Sequence, residues 1–348
     1  MTANSDSIIR SVTATPFETP LFNPFVTSQG AAYTAKAVAV DMMLADGRSA
    51  RGESVPVTYV TGETIDSVLE ACRRVAPHLI GLDVSTYRKP LTAIAAHTIS
   101  EPSARCGLEM AVLDAFGMVS GISLHRLLGA ALPSMATDIT IPIVPNAGEL
   151  AEMAWAVGMR VFKIKVGDPD RAADAARVKA IRAAAPNARL RIDANQAFTP
   201  EEAISFIRGL IDDGAAVEML EQPVHCDDFE GLNRVAERSP VPVFADESCR
   251  TPADAIRLVS TTAVHGLNLK INKNGIGGVL DIIPIARSAS RKLMLGCMLE
   301  TRFSIAASLA IACGTGAFDL LDLDSHLLLD EPSDDSQFTQ EGPELILP

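Results

Sequence analysis

From about Thr137 onward, short apolar runs rich in β-branched residues alternate with segments of helical periodicity. This alternation predicts parallel strands joined by helices. Eight such units of about 25 residues favour a (β/α)8-type TIM barrel, and a doubly wound open sheet is the structural alternative. The predicted strands span residues 139–144, 161–166, 190–193, 217–221, 243–246, 266–271, 293–298 and 318–322. The predicted helices span residues 172–185, 200–213, 229–238, 252–260, 277–291 and 302–313.

The residues before the predicted barrel show a different pattern of hydrophobic and polar positions. Apolar residues alternate along residues 35–44 and lead to Asp46-Gly47, a strong hairpin signal. Helical spacing follows after Thr64, which can cap a helix, and again from Pro102. We therefore expect an N-terminal α+β domain at residues 1–128 and a barrel at 129–325. Residues 326–348 are expected to pack back on the first domain or to form a tail.

The composition and charge of the chain argue against several classes of function. The 348 residues are 48% hydrophobic and 21% charged, an ordinary globular balance. A net charge of −13 without a basic run argues against binding to nucleic acid. The first ten residues do not resemble a signal peptide, and no apolar run reaches the roughly 18 residues of a membrane span. We expect a cytoplasmic protein without membrane association.

Cysteine and histidine do not predict a metal site. The six cysteines lack a CxxC pair, and the six histidines lack HExxH or HxH spacing. The cysteines are therefore expected to be buried free thiols. Any metal ion must use oxygen ligands.

Three lysines are predicted to point into the barrel. Lys163 and Lys165 share one face of the second strand, because side chains alternate along a strand. Two like charges in a confined site are expected to depress each other's pKa towards that of a usable base, although an exposed lysine pair is an alternative. Lys270 faces inward from the sixth strand, across the barrel, whereas Lys273 is out of phase and is assigned to the following turn.

Three carboxylates each close a predicted strand at its C-terminal end, where barrel enzymes build their sites. These are Asp193, Glu221 and Asp246. Taken singly, each could cap a helix. Together they predict an oxygen-lined cation site suited to Mg²⁺.

The polar motifs resemble those of the enolase superfamily, in particular its muconate lactonizing enzyme subgroup. The motifs are Lys163-Ile164-Lys165, Asp193-Ala194-Asn195, Glu221-Gln222-Pro223, Ala245-Asp246-Glu247-Ser248 and Asn268-Leu269-Lys270. The resemblance implies that residues 1–128 form a capping domain on which residues 326–348 pack. It also implies that residues 129–325 form a catalytic barrel of the modified (β/α)7β type, in a homo-oligomer with one Mg²⁺ per subunit. It also implies roles for single residues: Asp193, Glu221 and Asp246 as metal ligands, Lys165 and Lys270 as acid/base catalysts, and Lys163 as a contact of the substrate carboxylate.

The eighth strand indicates the substrate. Asp322 and Asp324 lie on one face at its end, and with residues 296–300 they resemble the dipeptide epimerases, in which such aspartates pair with the substrate's α-ammonium group. Capping of a helix at Ser325 is the alternative role. Met298 and Thr27 are further expected substrate contacts.

Residues 22–33 resemble the flexible lid of this superfamily. Epimerases acting on Ala-Glu are expected to carry an arginine there, and the stretch from Gln29 to Tyr33 has none. We therefore expect epimerisation of neutral or hydrophobic dipeptides at the C-terminal residue, by 1,1-proton transfer through an enediolate. An N-acylamino-acid racemase, an o-succinylbenzoate synthase and a muconate cycloisomerase of the same subgroup are alternatives. A Schiff-base aldolase and a non-catalytic binding barrel are alternatives from other classes.

Overall fold

The chain opens with an antiparallel sheet of three strands, β1 (Ile9–Thr27), β2 (Gly30–Leu44) and β3 (Ser49–Ser54), paired in that order. The computed structural model describes residues 5–332 and 336–348. Asp46 and Gly47 form the predicted turn between β2 and β3, and Gly47 adopts φ 90°, which favours glycine. The segment predicted as a lid loop is the tip of the β1–β2 hairpin.

Helices cover one face of this sheet and complete the capping domain. They are α1 (Thr58–Thr61), α2 (Ile65–Leu79), α3 (Arg88–His97), α4 (Pro102–Ser120) and α5 (Leu124–Leu127). Thr64 caps α2 and forms a capping box with Ser67, and Pro102 opens α4, as predicted. Val40 of β2 packs against α2 and α4 in a core that is separate from that of the barrel.

The barrel sheet contains the eight predicted strands in sequential order, so the predicted α/β barrel class is confirmed. The strands are β5 (Ile139–Ile141), β6 (Val161–Lys165), β7 (Arg189–Asp193), β8 (Val217–Glu221), β9 (Val243–Ala245), β10 (Gly266–Lys270), β11 (Lys292–Gly296) and β12 (Leu320–Asp322). The edge strands β5 and β12 are shorter than predicted. Side chains join these two edges: Thr137 Oγ1 accepts from Leu323 N at 2.7 Å, and Asp324 Oδ2 accepts from Thr140 N at 2.6 Å.

Seven of the eight strands lead into a covering helix. The helices are α6 (Ala147–Ala156), α7 (Arg171–Ala184), α8 (Pro200–Asp212), α9 (Phe229–Arg238), α10 (Pro252–Thr261), α12 (Ile276–Ser288) and α13 (Arg302–Thr315). The short α11 (Ile271–Asn274) follows β10 directly. In the described part of the chain, β12 is followed by a 3₁₀ turn, Ser325–Leu327, and by no α-helix, which gives the (β/α)7β variant. The sequence pattern did not predict α6.

The C-terminal segment contacts both domains. Phe22 N donates to Leu328 O at 3.0 Å and Asp330 N to Pro20 O at 2.8 Å, so its beginning lies along β1 of the capping domain. Farther on, β13 (Thr339–Glu341) and β14 (Glu344–Ile346) form a small sheet with β4 (Ser134–Ala136), at the start of the barrel.

The barrel interior has two layers. Met219, Phe244 and Met294 fill the lower one, and the charged side chains of the predicted site fill the upper one. The charged layer therefore lies at the end of the barrel that faces the capping domain. Throughout residues 5–332 and 336–348, every helix is too short or too polar to cross a membrane.

Candidate active site

Lys163 is at the centre of the charged layer. Its side chain is buried, and its Nζ lies 2.6 Å from Asp322 Oδ2, 3.0 Å from Asp193 Oδ2 and 3.1 Å from Glu221 Oε2. Burial disfavours the charged ammonium, but the carboxylates outweigh this effect and hold the pKa of Lys163 well above its ordinary value. The expected depression of this pKa by Lys165 was wrong, because the neighbouring anions dominate.

The two predicted catalysts lie on opposite sides of the barrel. Lys165 ends β6 with its Nζ 2.7 Å from Asp193 Oδ2, and Lys270 ends β10 with its Nζ 2.9 Å from Asp246 Oδ2. Three strands, β7 to β9, separate them and carry the three acids. For Lys270, burial opposes the charge, but Asp246 raises its pKa above the ordinary value.

The three predicted metal ligands meet at this mouth. For Asp193, burial opposes ionisation, but Lys165 and Lys163 lower its pKa to about 2. For Asp246, Lys270 and Lys273 likewise outweigh burial and lower its pKa. The pKa of Glu221 shifts in the opposite direction to those of the two aspartates, because burial and the negative charge of Asp193 raise it to about 8. Lys163, whose Nζ lies 3.1 Å from Glu221 Oε2, does not outweigh these two effects.

The charged layer fits a divalent cation. Oε2 of Glu221 and Oδ2 of Asp246 are buried without an aligned hydrogen bond. The layer holds seven buried carboxyl groups and five buried cationic side chains, so acidic groups are in excess. The carboxylates are Asp138, Asp193, Glu221, Asp246, Glu247, Asp322 and Asp324, and the cations are Lys163, Lys165, Arg191, Lys270 and Lys273. Mg²⁺ prefers such oxygen ligands and would balance the excess.

Lys273 belongs to the site, although strand phase assigned it to a turn. The change of element at α11 rotates it inward, where it is fully buried. Its Nζ donates to Asp246 Oδ1 and Asp246 O at 2.6 Å each, and to Asn268 O at 2.8 Å. One carboxylate oxygen of Asp246 is thereby fixed, while the other faces Lys270.

The loops that follow the acids are held in strained conformations. Asn195 and Gln222 have φ of 39° and 31°, which residues other than glycine rarely adopt. The Gln222 side chain accepts from Asp246 N at 2.9 Å and donates to Ser248 Oγ at 2.8 Å. Gln222 therefore ties the end of β8 to the end of β9. The role of Gln222 and the strained backbone of Asn195 were not predicted from the sequence.

Asp322 and Asp324 lie in a cluster of buried acids with Asp138. Asp138 pairs with Arg191 Nη1 at 2.7 Å, and Asp322 pairs with Lys163. Burial and the charge of Asp322 raise the pKa of Asp324 to about 6. Both predicted ammonium ligands line the same cavity as Lys165 and Lys270.

That cavity has a volume of about 300 Å³ and lies between the barrel mouth and the hairpin tip. Thr27 and Met298, the two further predicted contacts, both line it. The tip is closed over the barrel, because Gln29 Nε2 donates to Asn195 O at 2.7 Å and Ser28 Oγ to the same oxygen at 3.0 Å. Among the lining residues contributed by the capping domain, Lys36 is the only charged one.

The fold and the site define a barrel enzyme whose capping domain closes over a cluster of lysines and carboxylates. The chain belongs to the enolase superfamily. Residues 9–129 match the model of the mandelate racemase / muconate lactonizing enzyme N-terminal domain, and residues 146–348 match the enolase C-terminal domain-like model. The family predicted from the motifs is confirmed.

Relatives of known activity are similar along nearly the whole chain. An L-Ala-D/L-Glu epimerase of Thermotoga maritima is 37% identical over 92% of this chain and 93% of its own. An aromatic dipeptide epimerase of Herpetosiphon aurantiacus is 35% identical over 97% and 96%. The structure of a dipeptide epimerase from Enterococcus faecalis, in complex with Mg and L-Leu-L-Tyr, superposes with a TM-score of 0.92 at 32% identity, covering 98% of this chain and 97% of the other.

Proposed function

We propose that the protein is a Mg²⁺-dependent dipeptide epimerase that inverts the α-carbon of the C-terminal residue. The observation that carries the proposal is the placement of Lys165 and Lys270 on opposite sides of the cavity, each beside an acid of the proposed metal site. Dipeptide epimerases among the relatives support the reaction, and Mg in complexes of similar structures supports the cofactor.

Asp193, Glu221 and Asp246 would hold the Mg²⁺. When bound, the ion supplies Lewis-acid stabilisation for charge on the substrate carboxylate. Lys163 contributes a permanent positive charge at the same place, and its pKa above the ordinary value keeps it charged. The α-proton beside that carboxylate becomes acidic enough for a lysine to remove.

Lys165 and Lys270 move the proton. One lysine in its neutral form takes the α-proton from its face of the carbon, and the ammonium of the other delivers a proton to the opposite face. The configuration is therefore inverted. The closed hairpin tip, held by Gln29 on Asn195, keeps water from the reacting carbon.

Asp324 and Asp322 would hold the ammonium group of the dipeptide at the far side of the cavity. On the capping-domain side the lining is apolar or neutral apart from Lys36, whose Nζ lies 3.6 Å from Glu18. Both side chains of this pair are exposed, so solvent screens the charge of Lys36. This lining supports neutral or hydrophobic dipeptides as substrates.

A deuterium screen tests the proposal. Dipeptides with varied C-terminal residues are incubated with the protein and Mg²⁺ in D₂O, and uptake of one α-deuterium is followed by mass spectrometry together with formation of the epimer. N-acylamino acids and muconate are included. Epimerisation of at least one neutral dipeptide is expected, and turnover of an N-acylamino acid or muconate alone would overturn the dipeptide assignment.

A further inference from the structure

A second cavity, of about 620 Å³, lies beside the active-site cavity. Its lining is mostly apolar and comes from β1, β5, α6 and the turn after β12, with Arg302 of α13 and Gln340 and Gly342 of the C-terminal segment. Representative lining residues are Phe22, Pro24, Leu150, Met153, Val157 and Leu327. Phe22, Met153 and Val157 are 61%, 67% and 71% exposed, so an apolar surface faces solvent here.

The cavity exists because of the barrel variant. No long helix follows β12 in the described residues, so the face of α6 that such a helix would cover is bordered by the Ser325–Leu327 turn, by β1 and by residues of the C-terminal segment. The β1–β2 pairing also shifts register between Pro20 and Phe25. The residues within this shift bulge towards the cavity instead of continuing the ladder.

One layer of residues separates the two cavities. Phe25, Thr140 and Leu328 line both of them. Phe25 and Leu328 are each only half-buried, so their side chains can rotate without opening a core. Thr140 N donates to Asp324 Oδ2 at 2.6 Å, which places the carboxylate that would bind the substrate ammonium against this same layer.

We propose that the second cavity is the subsite for a bulky apolar side chain on the N-terminal residue of the dipeptide. This inference rests on the proposed function. A dipeptide with its ammonium on Asp324 has the N-terminal α-carbon one bond away, beside Thr140, Phe25 and Leu328. A large apolar side chain on that carbon displaces Phe25 or Leu328 and enters the second cavity, where it removes apolar surface from water.

Dipeptides that share one C-terminal residue and carry Ala, Leu or Phe at the N-terminus test the subsite. Ala154→Phe fills the cavity from α6, and Ala156→Phe, on the exposed side of the same helix, is the matched control. The wild type is expected to show at least tenfold higher kcat/KM for N-terminal Leu or Phe than for Ala. Ala154→Phe should reduce this ratio about tenfold and leave the Ala substrate unchanged, and Ala156→Phe should have no effect.

Met153→Glu gives a second measurement at an exposed position, should Ala154→Phe fold poorly. A charge at the cavity mouth is expected to lower kcat/KM for the Leu and Phe substrates alone. Equal ratios in the wild type, Ala154→Phe and Met153→Glu would overturn the subsite while leaving the epimerase intact. Absence of exchange with every dipeptide would overturn the proposed function and the subsite with it.

Discussion

Lys273 binds Asp246 twice, donating from Nζ to the side-chain Oδ1 and to the main-chain oxygen at 2.6 Å each. The lysine is buried and is not among the residues that line the cavity, so it acts on the site through Asp246. Lys273→Met is expected to weaken Mg²⁺ binding at least tenfold, because Asp246 loses its fixed orientation and a buried carboxylate loses its partner. Calorimetric Mg²⁺ titration measures this, with exposed Lys292→Met as the control. An unchanged Mg²⁺ affinity in Lys273→Met would contradict the positioning role.

Gly167 packs closely against the hairpin tip. A Cβ atom there would lie 2.6 Å from the Cβ of Ser28, and the backbone has φ of 123°. Gly167→Ala is expected to raise KM at least tenfold, because the tip cannot close. Gly47→Ala introduces a similar backbone strain, at φ 90°, with open space around the new atom. Gly47→Ala should leave KM unchanged. Equal changes of KM in the two variants would mean that backbone strain, and not the contact with Ser28, causes the change.

Asp324→Asn tests the ammonium contact. The change keeps the shape and an acceptor for Thr140 N but removes the charge. We expect kcat/KM for dipeptides to fall about 10- to 100-fold, mainly through KM, since a hydrogen bond to a charged group contributes about 1.5–3 kcal/mol. Asp319→Asn, immediately before β12, should have no effect on KM. Steady-state kinetics decide, and an unchanged KM in Asp324→Asn would remove this residue from the substrate site.

Glu53 makes stability depend on pH at the interface between the domains. It is buried and accepts from Thr301 N at 2.9 Å, and burial raises its pKa to about 8. Because this folded-state pKa exceeds the ordinary value, its contribution to stability is complete at pH below about 4.5. The contribution is lost as the pH rises to about 8.

Glu53→Gln should therefore flatten the fall of the free energy of unfolding between pH 5 and 8, at most about 1.4 kcal/mol per pH unit. Urea unfolding at several pH values measures this slope. Glu230→Gln, at a side chain that is 91% exposed, is the control. The same slope in the wild type and Glu53→Gln would mean that Glu53 is ionised in the folded protein.

The alternation of side chains along each strand was sufficient to predict that the strand-end residues meet at one mouth of the barrel. Lys163, Lys165 and Lys270 all lie inside the barrel because each stays in phase along a regular strand. Lys273 was missed because the phase changes where α11 begins, immediately after Lys270. Gln222 was missed for a related reason, since its role depends on a positive φ after β8, which alternation does not encode.

The groups that surround each charged side chain could not be predicted from the sequence and became known only from the structure. The sequence places Lys163 beside Lys165, but only the fold places it among the carboxylates of Asp193, Glu221 and Asp322. The direction of its pKa shift is therefore a tertiary property. The same holds for the lid, whose closed position depends on the contact of Gln29 with Asn195.

Lys165 and Lys270 are expected to serve opposite faces of one α-carbon. The most direct test incubates both epimers of one dipeptide with Lys165→Ala and with Lys270→Ala, in D₂O with Mg²⁺, and follows α-deuterium by NMR. Each variant is expected to epimerise at least 100-fold more slowly than the wild type. Each variant should still exchange the α-proton of one epimer, and the two variants should exchange opposite epimers. Exchange of the same epimer by both variants, or epimerisation at the wild-type rate by either, would contradict the assignment of one face to each lysine.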